Sequence, residues 1–441
     1  MPTAAEYNEQ LMDFISCNPC NFFVVDAQAR QLEQAGYVRL EEAQAWQLQP
    51  GGKYFVCRNG SALIAFRIPH EQPSGFMMFA SHSDSPTLRI KPNPEMRATG
   101  DYTALNVELY GGALLNPWFD RPLSVAGRIV VKSGEGTMRT LLVNIDRDLM
   151  LIPSLAIHMN REANNGVKLN VQKDLVPLYG SSDAPDLLAI VAQEAGVDID
   201  DILSHELVAY VRQQPRVWGA KGEYLSAPRL DDVQCAFSSL MGFLESESAA
   251  ASCMPVHVVF DNEEVGSSTK QGAASTFLKD TLRRISDALG LDGEGRRRML
   301  ATSFMISGDN GHALHPNYPE KCDPTNQVSL GQSLLIKQAA NQKYTTDAVS
   351  EGLCRMLAEK AGVPLCSFVN RSDVPGGSTL GNLSGNQVAV MTVDVGAPQL
   401  AMHSVYETGS AADTERLVAL ARQLFSSSLE QVEPGTYRFC W

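Results

Sequence analysis

The sequence predicts an α/β fold: a mixed sheet flanked by helices, interrupted by an inserted, mostly β module. Three observations carry this. Apolar runs of strand length, such as "GFMMFA" and "VHVVF", alternate with amphipathic helical stretches, the pattern of a sheet covered on both faces. Between about residues 91 and 225 the alternation gives way to short strands separated by glycine-rich turns. At 441 residues the chain also exceeds the usual size of a single core, so two domains are expected. The boundaries that follow are 1–90 with 226–441 for a discontinuous sheet domain, and 91–225 for the insertion.

Taken in order, "AAEYNEQLMDFI" and "VVDAQARQLEQAG" repeat apolar residues at helical spacing. "KYFVCRNG" and "SALIAFRI" read as a hairpin around Asn59-Gly60, and "GFMMFA" as a buried strand. In the insertion, "ALNVELYGG", "LSVAGRIVVKSG" and "TMRTLLVNI" are strands and "APDLLAIVAQEAG" a helix. Beyond it come the helix "DDVQCAFSSLMGFLES" with an acidic start, the strand "VHVVF", the helix "TFLKDTLRRISDALG" and the strand "TSFMIS". The helix "DAVSEGLCRMLAEKAG", the strand "NQVAVMTVDVG" and a closing helix "AADTERLVALARQLFSSSLEQV" complete the pattern. Arg296, Arg297 and Arg298 read as a solvated helix face.

Composition narrows the function. A formal net charge of −14 argues against nucleic acid or an anionic membrane as the main partner. No run approaches the roughly 18 apolar residues that span a bilayer. Glu6, Glu9 and Asp13 stand where a secretory signal would carry basic residues and an apolar run, so a cytoplasmic protein is expected. Nine scattered cysteines do not suggest a disulfide framework. The lone pair Cys17 and Cys20 in "CNPC" reads as two buried small residues rather than a zinc site.

Five segments concentrate metal-seeking side chains. They are "FASHSDSP" with His82 and Asp84, "APRLDD" with Asp231 and Asp232, "FDNEEVGS" with Glu263 and Glu264, "SGDNGHALHPNY" with Asp309, His312 and His315, and "APQLAMHS" with His403. Four of the five lie at or beyond the carboxyl end of an expected strand, where open α/β sheets assemble their sites. Alone, each has a plain alternative: Asp231 could cap the helix beside it, and Asp261 suits a turn. Together they point to a divalent cation, since close carboxylates repel unless positive charge holds them. Mixed imidazole and carboxylate without cysteine suits a catalytic rather than a structural zinc. A glycosidase-type carboxylate pair would leave the histidines idle.

"SHSDSP", "RLDD", "DNEEVGS", "DNGHALHPNY", "GGSTLG" and "LAMHS" occur in the order and spacing of the M18 metalloaminopeptidases, and the chain resembles most of all their aspartyl members. The resemblance runs nearly end to end and includes "IPSLAIHMNR" in the insertion. It implies a zinc-peptidase-like catalytic domain and two divalent ions, zinc with cobalt or manganese as alternatives. His82, Asp231 and Asp309 would hold one ion, and Asp231, Glu264 and His403 the other. The family's usual asparagine after the bridging aspartate is replaced here by Asp232, which could compete for metal. Glu263 matches the general base and Asp84 the acid orienting His82. An extended segment there would point the two neighbouring glutamates in different directions. Three ligand carboxylates leave two dications with residual positive charge, which favours deprotonating a water near neutral pH.

His312 matches a substrate-binding histidine, and Lys337 a lysine that meets an acidic substrate side chain, with Lys343 as its neighbouring alternative. The glycine-rich loop 372–381 would lie near the site. His158 matches a histidine reaching a neighbouring subunit's site, which makes the insertion a dimerisation domain and implies dimers assembling to a dodecamer. The substrates implied are peptides with acidic N-terminal residues. Neutral, leucine-type preference and a non-catalytic scaffold are the alternatives.

Overall fold

The computed structural model describes residues 2–246 and 252–441. Four strands come first: β1 (Val38–Leu40), β2 (Lys53–Arg58), β3 (Ala62–Arg67) and β4 (Gly75–His82). Then follow β5 (Thr87–Ala98), β6 (Tyr102–Tyr110), β7 (Leu123–Lys132), β8 (Met138–Asn144), β9 (Leu178–Ser181) and β10 (Ile202–Val211). Two short strands, β11 (Arg216–Trp218) and β12 (Tyr224–Ala227), lead back to β13 (Cys253–Phe260), β14 (Phe304–Gly308) and β15 (Gly311–His312). The chain ends with β16 (Leu334–Gln338), β17 (Leu365–Val369), β18 (Met391–Gly396), β19 (Pro398–Gln399), β20 (Glu407–Ser410), β21 (Ser428–Glu433) and β22 (Thr436–Cys440).

Nine strands form the main sheet in the order β1-β2-β3-β13-β4-β14-β18-β16-β17. Its centre, β13, β4, β14 and β18, is parallel, while β3 and β16 flank that centre in antiparallel sense. Every residue of β4 and β13 is buried, as the uninterrupted apolar runs require. Side-chain alternation feeds two cores. Met77 and Phe79 pack with the helices Asn21–Gln34, Leu230–Glu245, Ala348–Ala361 and Asp413–Phe425. Met78 and Ala80 pack on the other face with Phe277–Ala288 and Gly293–Ala301. Arg296, Arg297 and Arg298 lie on the last of these.

A second, six-stranded sheet runs β8-β7-β10-β5-β6-β9, with antiparallel neighbours throughout. Its core, from Leu88 to Val211, is closed by the helix Leu187–Ala195. Three details depart from the sequence reading. The C-terminal helix stops at Phe425, and Ser428–Glu433 pairs with Thr436–Cys440 as a hairpin. The serine run explains the stop: Ser427 Oγ donates to Gln423 O, a side-chain bond that competes with further helix. The last two strands of the sheet, β16 and β17, were not expected, because "LLIKQ" and "LCSFV" are short and lack alternation. Cys17 is exposed rather than buried, and both it and Cys20 are free thiols.

At the end of β18 the backbone passes so close to Asp309 that a Cβ on Gly396 would strike the Asp309 carbonyl. Gly396→Ala is therefore expected to destabilise the fold by roughly 1–3 kcal/mol, the range for overpacking. A melting temperature equal to wild type would show that this approach is not close.

Candidate metal centre

Parallel register sets the site. Phe260 pairs with His82 across β13 and β4, and Gly308 with Val395 across β14 and β18. The four central strands therefore finish on one edge, which receives His82, the turn 261–264, Asp309 and the segment leading to His403. Asp231 arrives from a different direction, at the start of the helix Leu230–Glu245. Asp231 and Asp232 have non-helical backbone angles, and no side chain caps this helix.

The Asp231 carboxylate stands between two imidazoles. Its Oδ1 is 3.5 Å from His82 Nε2, and its Oδ2 is 3.5 Å from His403 Nε2. His403 Nε2 is also 3.3 Å from Glu264 Oε2. Ligand-type atoms fall within 4.8 Å of one another in three overlapping groups: His82 with Asp231, Asp232 and Asp309; His82 with Glu263 and Glu264; and Asp231 with Glu264 and His403. Asp232 joins the cluster, with one oxygen accepting the His82 N–H at 3.1 Å. Cys17 and Cys20 belong to no such group among the described residues.

A divalent cation fits this donor set. Asp231 Oδ1, Asp232 Oδ1 and Glu264 Oε1 are buried oxygens with no hydrogen-bond partner, which is costly unless positive charge meets them. Burial, then repulsion from neighbouring acids, raises Asp232 and Glu264 well above the carboxylate range and pushes Glu263 to about 8. Burial would raise Asp231 too, but the His403 and His82 imidazoles, one beside each oxygen, outweigh it and lower that group. Burial opposes protonation of His403, yet the Asp231 carboxylate raises it to about 9.

Two buried carboxylates stand behind this cluster. Asp84 accepts the backbone N–H groups of Glu263 and Glu264 at 3.1 and 3.2 Å and the Tyr110 hydroxyl at 2.6 Å. Its Oδ1 lies 3.4 Å from His82 Nδ1, and its carbonyl 3.1 Å from the same nitrogen. Glu407 accepts the N–H of His403 at 2.7 Å and that of Asp231 at 3.0 Å. The segment 263–265 is a 3-10 turn, not the extended stretch expected, because Asn262 enters the left-handed region at φ 60°. Successive side chains of such a turn still diverge, now by about a third of a circle. Arg229 and His403 are left-handed as well, at φ 58° and 65°.

The remaining predicted residues fall in different places. Lys337 is buried, its Nζ donating to Asn310 O at 2.6 Å and lying 3.3 Å from Asp309 Oδ2. Lys343 donates to Gly376 O in the glycine-rich loop. His312 is exposed, yet surrounding protein and then the Lys337 charge lower its pKa. His158 is exposed on a turn of the second sheet's long loop, outside the cluster. Sequence reasoning missed Tyr110 and Glu407. A carboxylate that binds backbone N–H groups has no spacing signature, and Tyr110 sits in the insertion, far from the motifs.

Comparison with known proteins finds zinc-peptidase relatives along nearly the whole chain. The family profile described as aminopeptidase I zinc metalloprotease (M18) matches residues 14–425. A probable M18 family aminopeptidase 2 of Clostridium novyi is 44% identical over 416 residues, covering 92% of this chain and 95% of that protein. A chain in the cryo-EM structure of the Ape4 and Nbr1 complex is 35% identical, with a TM-score of 0.93 over 96% of this chain and 86% of its own length. The mApe1 dodecamer of Saccharomyces cerevisiae is 26% identical, with a TM-score of 0.83 over 95% and 96%. With the family matched over nearly its whole length, the chain belongs to the M18 zinc aminopeptidases and is a metallo-hydrolase.

Proposed function

We propose that the protein removes N-terminal residues, acidic ones foremost, from peptides, with Glu263 as general base beside two zinc ions. The observation that carries this reading is Asp231, whose two oxygens each face a different histidine. His82, Asp231 and Asp309 would hold one ion, and Asp231, Glu264 and His403 the other, with cobalt or manganese as substitutes. Bound there, the ions supply Lewis-acid polarisation and a water acidic enough to lose a proton near neutral pH. Glu263, raised to about 8 by burial and neighbouring charge in the metal-free chain, takes that proton and passes it to the leaving amine. His312, exposed at the end of β15, donates to the scissile carbonyl as charge builds on it. Asp84 orients His82 and fixes the turn that carries Glu263.

Lys337 supports the acidic preference. In this reading its ammonium, held by Asn310 and Asp309, would turn its third donor to an incoming carboxylate. The long loop of the second sheet supports assembly: Leu155, Ile157, Met159 and Val167 around His158 are 57%, 44%, 75% and 46% exposed. A second copy would cover them and bring His158 toward a neighbouring site, with the insertion (91–225) as dimerisation domain and a dodecamer as the assembly. No helix among the described residues is long and apolar enough to cross a membrane, in keeping with a cytoplasmic peptidase.

Glu263→Gln should keep metal but lose ~10²–10⁴-fold in kcat, whereas His403→Ala and Asp309→Ala should lose metal as well, read by elemental analysis beside turnover. Full metal content in all three variants would contradict the division of roles. Lys337→Leu should lower kcat/KM on an aspartyl amide ~10–100-fold more than on a leucyl amide, the range for one charge-assisted bond. Equal losses would remove the acidic preference. Zinc uptake has a pH signature. His403 holds a proton below about 9 in the metal-free chain, and an incoming cation must displace it. Affinity should therefore rise with pH between 6 and 9 and protons should be released at pH 7, as calorimetry in buffers of different ionisation enthalpy would read. A pH-independent affinity would break the link to His403.

A further inference from the structure

Glu407 is buried at 1% exposure and belongs to no candidate ligand group. It lies on β20, paired with Ala227 of β12, the strand that ends just before Asp231. Its two oxygens take different donors: Oε2 accepts the Asp231 N–H at 3.0 Å, and Oε1 accepts the His403 N–H at 2.7 Å. Gln399 Nε2 approaches Oε1 at 3.4 Å, and Gln399 Oε1 accepts Asn310 Nδ2 at 3.2 Å, so the network extends to the residue after Asp309.

We infer that Glu407 is a positioning residue for the metal centre: one carboxylate sets the spacing of Asp231 and His403 by holding their backbones from the side away from the cations. The inference rests on the two-ion reading above. Both segments leave ordinary backbone geometry where they meet Glu407, since Arg229, Ala401 and His403 are all left-handed. Such residues cost free energy and persist only where their surroundings hold them. Without Glu407, two N–H groups behind the centre lose the one acceptor they have among the described residues. An amide cannot replace the carboxylate, because its NH₂ group faces one N–H donor with another donor.

Glu407→Gln tests this against Asp413→Asn, a buried carboxylate paired with Arg416 rather than with a candidate ligand. Each chain is titrated with Zn²⁺ against a competing chelator, and its metal content is read after dialysis. Wild type should hold two ions. Glu407→Gln should bind zinc ~10–100-fold more weakly, the usual effect of removing a group that orients ligands, while Asp413→Asn binds as wild type. Wild-type zinc affinity in Glu407→Gln, or equal weakening in Asp413→Asn, would overturn the inference. A wild-type chain that takes up no zinc would instead sink the two-ion reading, and this inference with it. Should Glu407→Gln fail to fold, hydrogen exchange on the metal-free wild type decides. Peptides carrying the Asp231 and His403 amides should be protected before zinc is added, and free exchange until zinc arrives would refute pre-positioning.

Discussion

One carboxylate reaching two histidines organises this molecule. Asp231 Oδ1 faces His82 and Oδ2 faces His403, residues from opposite ends of the chain. A buried carboxylate with an unpartnered oxygen is expensive. It stays in place only if its backbone cannot turn away. Both sides of that backbone are bonded: the N–H donates to Glu407, and the carbonyl accepts Ser85 Oγ at 2.7 Å. The sheet exists, in this sense, to keep the edge on which these bonds meet at constant geometry.

The second sheet takes part in the same site. Tyr110 closes β6 and donates to Asp84, and Asn262 Nδ2 donates in turn to Tyr110 at 2.8 Å. Gly112, just past β6, presents its carbonyl 3.0 Å from His403 Nδ1. That contact keeps hydrogen on Nδ1, so once a cation displaces the second ring proton the Nε2 lone pair is the one turned toward Asp231 and Glu264. The second sheet thus orients an imidazole of the candidate metal centre, so the two sheets contribute to one site.

Much of this was legible in the sequence because apolar runs and metal-seeking side chains carry strong local signals. "GFMMFA" before His82 and "VHVVF" before Glu263 announce buried parallel strands, and the order of those strands puts the polar residues on one edge. What was not legible depends on contacts between distant segments. Glu407 acts on backbone N–H groups 4 and 176 residues away, a relation no spacing encodes. The 3-10 turn at Glu263 follows from Asn262 adopting a conformation that most residues avoid, stabilised by Thr269 and Gln271 at its side-chain oxygen. β16 and β17 extend the sheet beyond β18, a pairing that context rather than local pattern provides.

The left-handed residues explain why two extra buried acids stand behind the cluster. Arg229, Asn262 and His403 introduce the three turns that carry Asp231, the glutamates and His403 itself. Each such residue costs of the order of 1–3 kcal/mol. Asp84 accepts two N–H groups after Asn262, and Glu407 accepts one N–H at each of the other two turns. Each of these three turns is therefore tied to a carboxylate outside the candidate ligand set. Because those ties run to the backbone and need no cation, the side chains are already aimed when an ion arrives. The geometry belongs to the protein, and the charge that the clustered acids lack is left for the metal to supply.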